Sequence, residues 1–107
     1  MEFRTWIERY KEFKYWGFIG SLFIGAPTGS GLSIEECKEF TTQYIGLKDK
    51  NDKKIYGGDI LKCDELIVVI EFTGGQFVGK SKQISQELQN RNWLQFEIIG
   101  NIFENKI

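Results

Sequence analysis

Two aspartates in a stretch rich in glycine and lysine are the residues of this chain best suited to chemistry. Asp59 follows Gly57-Gly58 and precedes an apolar run. Asp49 lies within the charged segment Lys48-Asp-Lys-Asn-Asp-Lys-Lys54. A carboxylate beside a turn can act as general acid or base, ligate a cation, or accept backbone N–H groups. Paired-carboxylate hydrolysis needs a second acid at a fixed separation. Glu71 and Glu97 are the candidates for Asp59, and nothing in their spacing selects either. A calcium loop counted from Asp49 requires Asp or Asn at the fifth position, Gly at the sixth and Glu at the twelfth. Lys53, Lys54 and Ile60 stand there, so the pattern fails. The structural use remains for Asp59: a carboxylate just before a buried strand, accepting amides of a neighbouring turn around residues 46–48.

The rest of the chemical inventory is defined by what is missing. There is no histidine, which removes Ser-His-Asp and Cys-His catalysis and most transition-metal sites. The two cysteines, Cys37 and Cys63, are too few for a thiolate zinc centre or for the disulfide framework of a small secreted domain. They read as buried, reduced thiols. The glycine-rich run Gly25-Ala-Pro-Thr-Gly-Ser-Gly31 invites comparison with a phosphate cradle. A P-loop counted from Gly25 finds Ser30 and Gly31 where Gly and Lys belong, and the dinucleotide pattern from Gly29 finds Ile34 at its third glycine. A surface loop is the expectation. No catalytic residue, metal or cofactor is therefore expected, and the chain reads as non-enzymatic.

Binding is the other class of function. The net charge is −1, which gives no general electrostatic case for nucleic acid. Residues 48–54 hold four lysines against two aspartates, a local +2. A solvated hairpin tip accounts for that segment, Asp49 included. Tyr44, Tyr56, Trp6 and Trp16 could stack bases, although aromatics in a small β protein usually fill its core. Nucleic acid is thus a less favoured partner. The apolar run of residues 16–26 resembles a signal-peptide core, but it is too short to span a bilayer, and Glu2, Glu8 and Glu12 spoil a positive leader. It is expected to be a buried strand followed by a turn, with no membrane association.

The elements that must position these residues are mostly strands. With 107 residues, a single domain is expected. Residues 2–7 and 12–19 alternate as two strands, with an amphipathic helix over 2–16 as competitor. Ser33-Ile-Glu-Glu36 fits a capping box and predicts a helix over about 34–40 with Ile34, Cys37 and Phe40 inward. Tyr44 and Ile45 end a short extended segment, Gly46 marks a bend, and Asn51-Asp52 forms a turn tip. Ile55-Tyr56 restarts the strand and Gly57-Gly58 turns it. Residues 60–63 and 66–72 are strands, the latter nearly all β-branched. Thr73-Gly-Gly-Gln76 reads as a hairpin turn returning through residues 76–79. Residues 85–90 could form a short helix with Ile84 and Leu88 inward, or equally an exposed loop. Residues 93–103 read as a last strand broken at Gly100-Asn101, with Leu94, Phe96 and Ile98 on one face. The fold class is mainly β with one or two short helices: a small SH3-like or pseudo-barrel of short antiparallel strands.

Five segments carry a resemblance to a known family. Residues 43–51, Gln-Tyr-Ile-Gly-Leu-Lys-Asp-Lys-Asn, lead into residues 55–60, Ile-Tyr-Gly-Gly-Asp-Ile. Residues 99–105 read Ile-Gly-Asn-Ile-Phe-Glu-Asn, residues 3–6 Phe-Arg-Thr-Trp, and residues 70–77 Ile-Glu-Phe-Thr-Gly-Gly-Gln-Phe. Taken in their order along the chain, they resemble the YopX-like proteins of phages and prophages. Two departures stand out: Asn51-Asp52 replaces an Asn-Gly tip, and Gly57 replaces a Glu. The resemblance implies an SH3-like or pseudo-barrel core and a gene of phage or prophage origin acting in a bacterial cytoplasm. It implies no established activity. Tyr44, Gly46, Leu47, Lys48, Asp49, Tyr56, Gly58 and Asp59 become the candidate binding or structural motif. The expected partners are a second copy of the chain, as a homo-oligomer, or an unidentified host or phage macromolecule.

Overall fold

In a computed structural model, the chain is built mostly of antiparallel strands. Residues 1–19, 21–25, 40–81, 87–88 and 93–104 are described. The capping box at residues 33–36, most of the helix expected over 34–40, Cys37 and most of the glycine-rich loop lie outside them. Of the segment 85–90, where a short helix or a loop is expected, only Glu87–Leu88 is described, and it is a strand paired with residues 79–80 because the backbone groups of that edge take it up. Residues 1–44 and 45–107 make two compact units.

The first unit contains β1 (Glu2–Ile7), β2 (Glu12–Ile19), β3 (Leu22–Ile24) and the start of β4 (Thr41–Lys48), in the order β3-β2-β1-β4. The β-strand reading of residues 2–16 prevails over the helical one because cross-strand pairs satisfy both faces. On one face Phe3 lies opposite Trp16, with ring centroids 4.6 Å apart. On the other, Trp6 lies opposite Phe13 at 4.9 Å. Such pairs add stability beyond the area they bury. The turn between β1 and β2 places Lys11 at φ 53°, and the Ile7 carbonyl accepts from the Tyr10 amide at 3.1 Å. The Trp6 indole donates to Glu8 at 2.6 Å, and Lys11 pairs with the same carboxylate.

The apolar run after Trp16 departs from expectation. It folds as the β2–β3 hairpin, and Phe18, Leu22, Phe23 and Ile24 are exposed rather than buried. A strand at the edge of a sheet has a neighbour on one side only, which leaves even an apolar sequence open to solvent.

The second unit has a sheet in the order β10-β6-β7-β8-β9, from β6 (Asp59–Cys63), β7 (Leu66–Thr73), β8 (Gln76–Lys80), β9 (Glu87–Leu88) and β10 (Glu97–Asn101). The later residues of β4 lie beside β5 (Lys54–Tyr56). Ile55, Leu61, Val68, Ile70 and Phe96 form the buried core, with Ile45, Cys63, Leu66, Phe77 and Ile98 packed around it. Cys63 is a free thiol at the margin of this core, half-buried rather than fully so. Gly74 and Gly75 have φ of 61° and 82°, the signature of the primed turn expected for the β7–β8 hairpin. Neither sheet closes on itself among the described residues, so the core is built from open sheets rather than a barrel.

The last segment, expected as a strand over residues 93–103 broken at Gly100-Asn101, departs most from expectation in its first half. Residues Trp93–Gln95 form a single 3-10 turn, which leaves Leu94 exposed while Phe96 enters the core. β10 then pairs with β6, Ile98 opposite Leu61 and Gly100 opposite Ile60, so Ile99 is a bulge. The extra residue shifts the side-chain alternation by one position.

Candidate functional site

The eight candidate residues divide between two turns and a strand. Tyr44 is half-buried on β4 in the first unit. Within the second unit, Gly46 has φ 88° inside β4, with nothing within 4 Å of where a Cβ would sit, and Leu47 is exposed. Lys48 reaches Asp52 at 3.5 Å across the turn. Asp52 has φ 63°, so it adopts at the tip the left-handed backbone that glycine adopts most easily.

Asp49 corrects the sequence reading. Its place in a lysine-rich segment predicts a solvated side chain, but it is only 1% exposed. Its carboxylate Oδ1 accepts the amides of Asn51 at 2.8 Å and Lys53 at 2.9 Å. The other oxygen, Oδ2, accepts the amide of Ile98 on β10 at 3.0 Å. Beside it, the Lys50 amide donates to the Phe96 carbonyl at 2.9 Å. Lys50 and Glu97 make an exposed ion pair at 3.5 Å. Asp49 therefore closes its own turn and clasps that turn to β10. Burial, the largest single influence, pushes its pKa up. The amides of Ile98, Lys53 and Asn51, with the Lys53 charge, together outweigh burial and hold it below the ordinary aspartate value. A carboxylate kept ionised in this way is a poor proton donor or acceptor near neutral pH.

Asp59 performs the same kind of task at the next turn. It is 2% exposed, and its Oδ2 accepts the Tyr56 amide at 2.8 Å. The amide comes from its own β5–β6 turn, where the sequence reading looks to residues 46–48. Gly58, at φ 87°, donates its N–H to the Ile70 carbonyl at 2.7 Å and accepts from the Ile102 amide at 2.9 Å. A Cβ there would stand 3.3 Å from Ile102 Cγ1. Tyr56 is also buried, at 4%. Tyr56 and Asp59 thus belong to the interior rather than to an open concavity.

The proposed carboxylate pairs are not assembled. In the β6–β10 ladder Asp59 lies opposite Asn101, whereas Glu97 lies opposite Lys62, three residues along β6. That separation is about 10 Å at the rise of a strand. Glu97 is exposed beside Lys50, and Glu71 is exposed beside Lys80 at 3.0 Å, while Asp59 is buried. The acids therefore occupy different environments.

Two polar centres went unnoticed in the sequence. Asn101 is buried, and its Oδ1 accepts the amides of Phe103 at 3.0 Å and Glu104 at 2.9 Å, ending β10 in an Asx turn. An Asn directly after Gly100 was a usable signal. In the first unit, Thr5 Oγ1 receives the Trp16 indole N–H at 3.0 Å and shares a 2.7 Å bond with Thr41 Oγ1. Arg4 on the opposite face of β1 lies 4.1 Å over the Phe13 ring and donates to Thr42 at 3.3 Å. Local sequence gave no signal for these, because Thr41 and Thr42 come from a strand more than 30 residues away. No group of three or more acidic or thiol side chains able to hold a metal ion lies together among the described residues. None of their buried side-chain N or O atoms lacks a hydrogen-bond partner. No helix among them is long and apolar enough to cross a membrane.

No curated protein matches the chain. The family model described as YopX protein matches residues 2–106, nearly the full length. The match takes in the Asp49 and Asp59 turns and the β1 and β10 segments whose residues carry the resemblance, and the chain belongs to the YopX protein family.

Proposed function

We propose that this chain is a non-enzymatic binding or assembly module of phage or prophage origin, acting in the bacterial cytoplasm. One observation carries the reading: the polar groups best suited to chemistry are used by the fold, while large apolar side chains lie outside it. Asp49 and Asp59 spend their carboxylates on backbone amides. Phe18, Leu22 and Phe23 on one unit and Phe72 on the other remain more than half exposed. Clustered apolar exposure on a small protein is a mark of association surfaces. The phage context and the compartment are what the sequence resemblance to the YopX-like proteins of phages and prophages implies; the family match itself gives the family alone.

The test has two arms. Immobilised chain is challenged with extract of the bacterial host, with and without excess free chain as competitor. In parallel, the mass of the free chain is followed against concentration by light scattering. A competed partner, or a mass above the monomer, is the expected outcome. A strict monomer that captures nothing competable overturns the reading. A low-salt gel shift that disappears with added salt replaces it with nucleic-acid binding.

A further inference from the structure

We infer that the β3 edge is a self-pairing site, at which two copies of the chain add their edge strands to one another about a two-fold axis. The inference rests on the binding-or-assembly reading and names the partner and the surface. It follows from the direction of the backbone. The Phe18 amide donates to the Met1 carbonyl at 2.8 Å, so the peptide groups of Phe18 face away from β3. Phe18 is the register partner of Phe23. In an antiparallel ladder this makes the couple a non-hydrogen-bonded pair. The N–H and C=O of Phe23 then point away from β2, at the outer edge of the sheet as formed by the described residues. One residue presenting both groups at an edge can exchange two hydrogen bonds with the same residue of a second copy, as the hydrogen-bonded pair of a new antiparallel ladder.

The occupant is a second copy because this edge is electrically blank and apolar on both faces. Residues 15–34 carry no charge over twenty consecutive positions. Exposed edge strands of monomeric proteins are ordinarily guarded by a charge, a proline or a bulge. β3 has none of these. Self-pairing brings identical residues face to face, so any charge on the edge would oppose it, and here none does. Phe18 and Phe23 are 56% and 62% exposed, and their rings touch at a centroid distance of 5.1 Å. Across the two-fold axis the four rings would form one continuous strip. Leu22 and Ile24 would meet on the opposite face. Ser21 would lie opposite Gly25 of the second copy, where an added Cβ finds nothing within 4 Å. These side chains offer roughly 400 Å² of apolar surface per copy, about half of what a standard interface contributes from each side. The expected dimer is therefore reversible, with dissociation in the micromolar range.

Sedimentation velocity of the full chain from about 5 to 500 µM tests this. The mass of the wild type should rise from monomer to dimer across that range. Phe23→Lys and Phe23→Glu should each remain monomeric, at least tenfold weaker in association. An equimolar mixture of the two should recover the dimer, because opposite charges then stand directly across the new ladder. Circular dichroism verifies that each variant is folded; Phe23→Thr, polar and β-branched, replaces either variant that is not. A wild type that stays monomeric to the highest concentration overturns the inference. A dimer unaffected by substitution of Phe23 also overturns it, yet leaves assembly through another surface standing. A monomer that also captures no competable partner removes both readings.

Discussion

Replacing Asp49 by Asn should destabilise the second unit by an amount that depends on pH. The wild-type carboxylate accepts three amides, from Asn51, Lys53 and Ile98. Asn offers one carbonyl oxygen and directs an NH2 group at a donor on the other side. Asn51 and Lys53 are exposed residues whose amides can turn to water, so each is expected to contribute only about 0.5 kcal/mol. The Ile98 amide lies on a half-buried strand residue and loses a charged acceptor, which costs about 1.5 kcal/mol. The total is about 2–3 kcal/mol, or a melting temperature lower by roughly 10–15 °C for a domain of this size. The sign of the pH dependence follows from the depressed pKa of Asp49. Its contribution is fully present above the unfolded aspartate value of about 3.9 and is lost as pH falls through the lower folded value. The gap between wild type and Asp49→Asn should therefore be largest near neutrality and close in acid, where the wild-type carboxyl is itself neutral. Thermal melts across pH measure the gap, and amide hydrogen exchange at Ile98 should accelerate in the variant. A melting temperature within about 2 °C of wild type at pH 7, or a gap that stays constant into acid, would refute this account of Asp49.

Further outcomes follow from the same geometry. Asp59→Asn should cost about 1–2 kcal/mol of stability through the Tyr56 amide and so lower the melting temperature; an unchanged melt together with a lost binding activity would instead point to a recognition role. Gly58→Ala should cost more than Gly46→Ala in chemical denaturation. Both have positive φ, worth about 1 kcal/mol, but only Gly58 has Ile102 within 3.3 Å of the new methyl. Equal losses would mean that Ile102 yields freely. Thr5→Val keeps the shape of the side chain but deprives the Trp16 indole and Thr41 of their shared oxygen. A loss of about 1–2 kcal/mol is expected, read by urea unfolding; no loss would show that another acceptor replaces it.

Much of the architecture was legible because strand alternation and turn chemistry are local. β1 and β2 match their expected bounds, Gly74-Gly75 makes the primed turn that two successive glycines favour, and Asp52 of the Asn51-Asp52 tip takes positive φ. The family was legible for a related reason: the residues that carry the resemblance are short contiguous segments, and the family match covers all of them. The errors share a different cause. The Trp93–Gln95 turn and the Ile99 bulge shift the alternation of a segment whose residues 93–99 read as unbroken strand. The β2–β3 run reads as interior because apolar content does not say whether a strand lies at the centre of a sheet or at its edge.

By itself, the sequence determined the β class, the positions of most turns and the absence of histidine chemistry, because these follow from residue type and near neighbours. Tertiary structure decided what the acids do. Asp49 sits among lysines in the chain, but β10 brings the Ile98 amide to its second oxygen and takes it out of water. That partner lies 49 residues away. Burial and long-range hydrogen bonds depend on which strands meet, and no local pattern of charge encodes that.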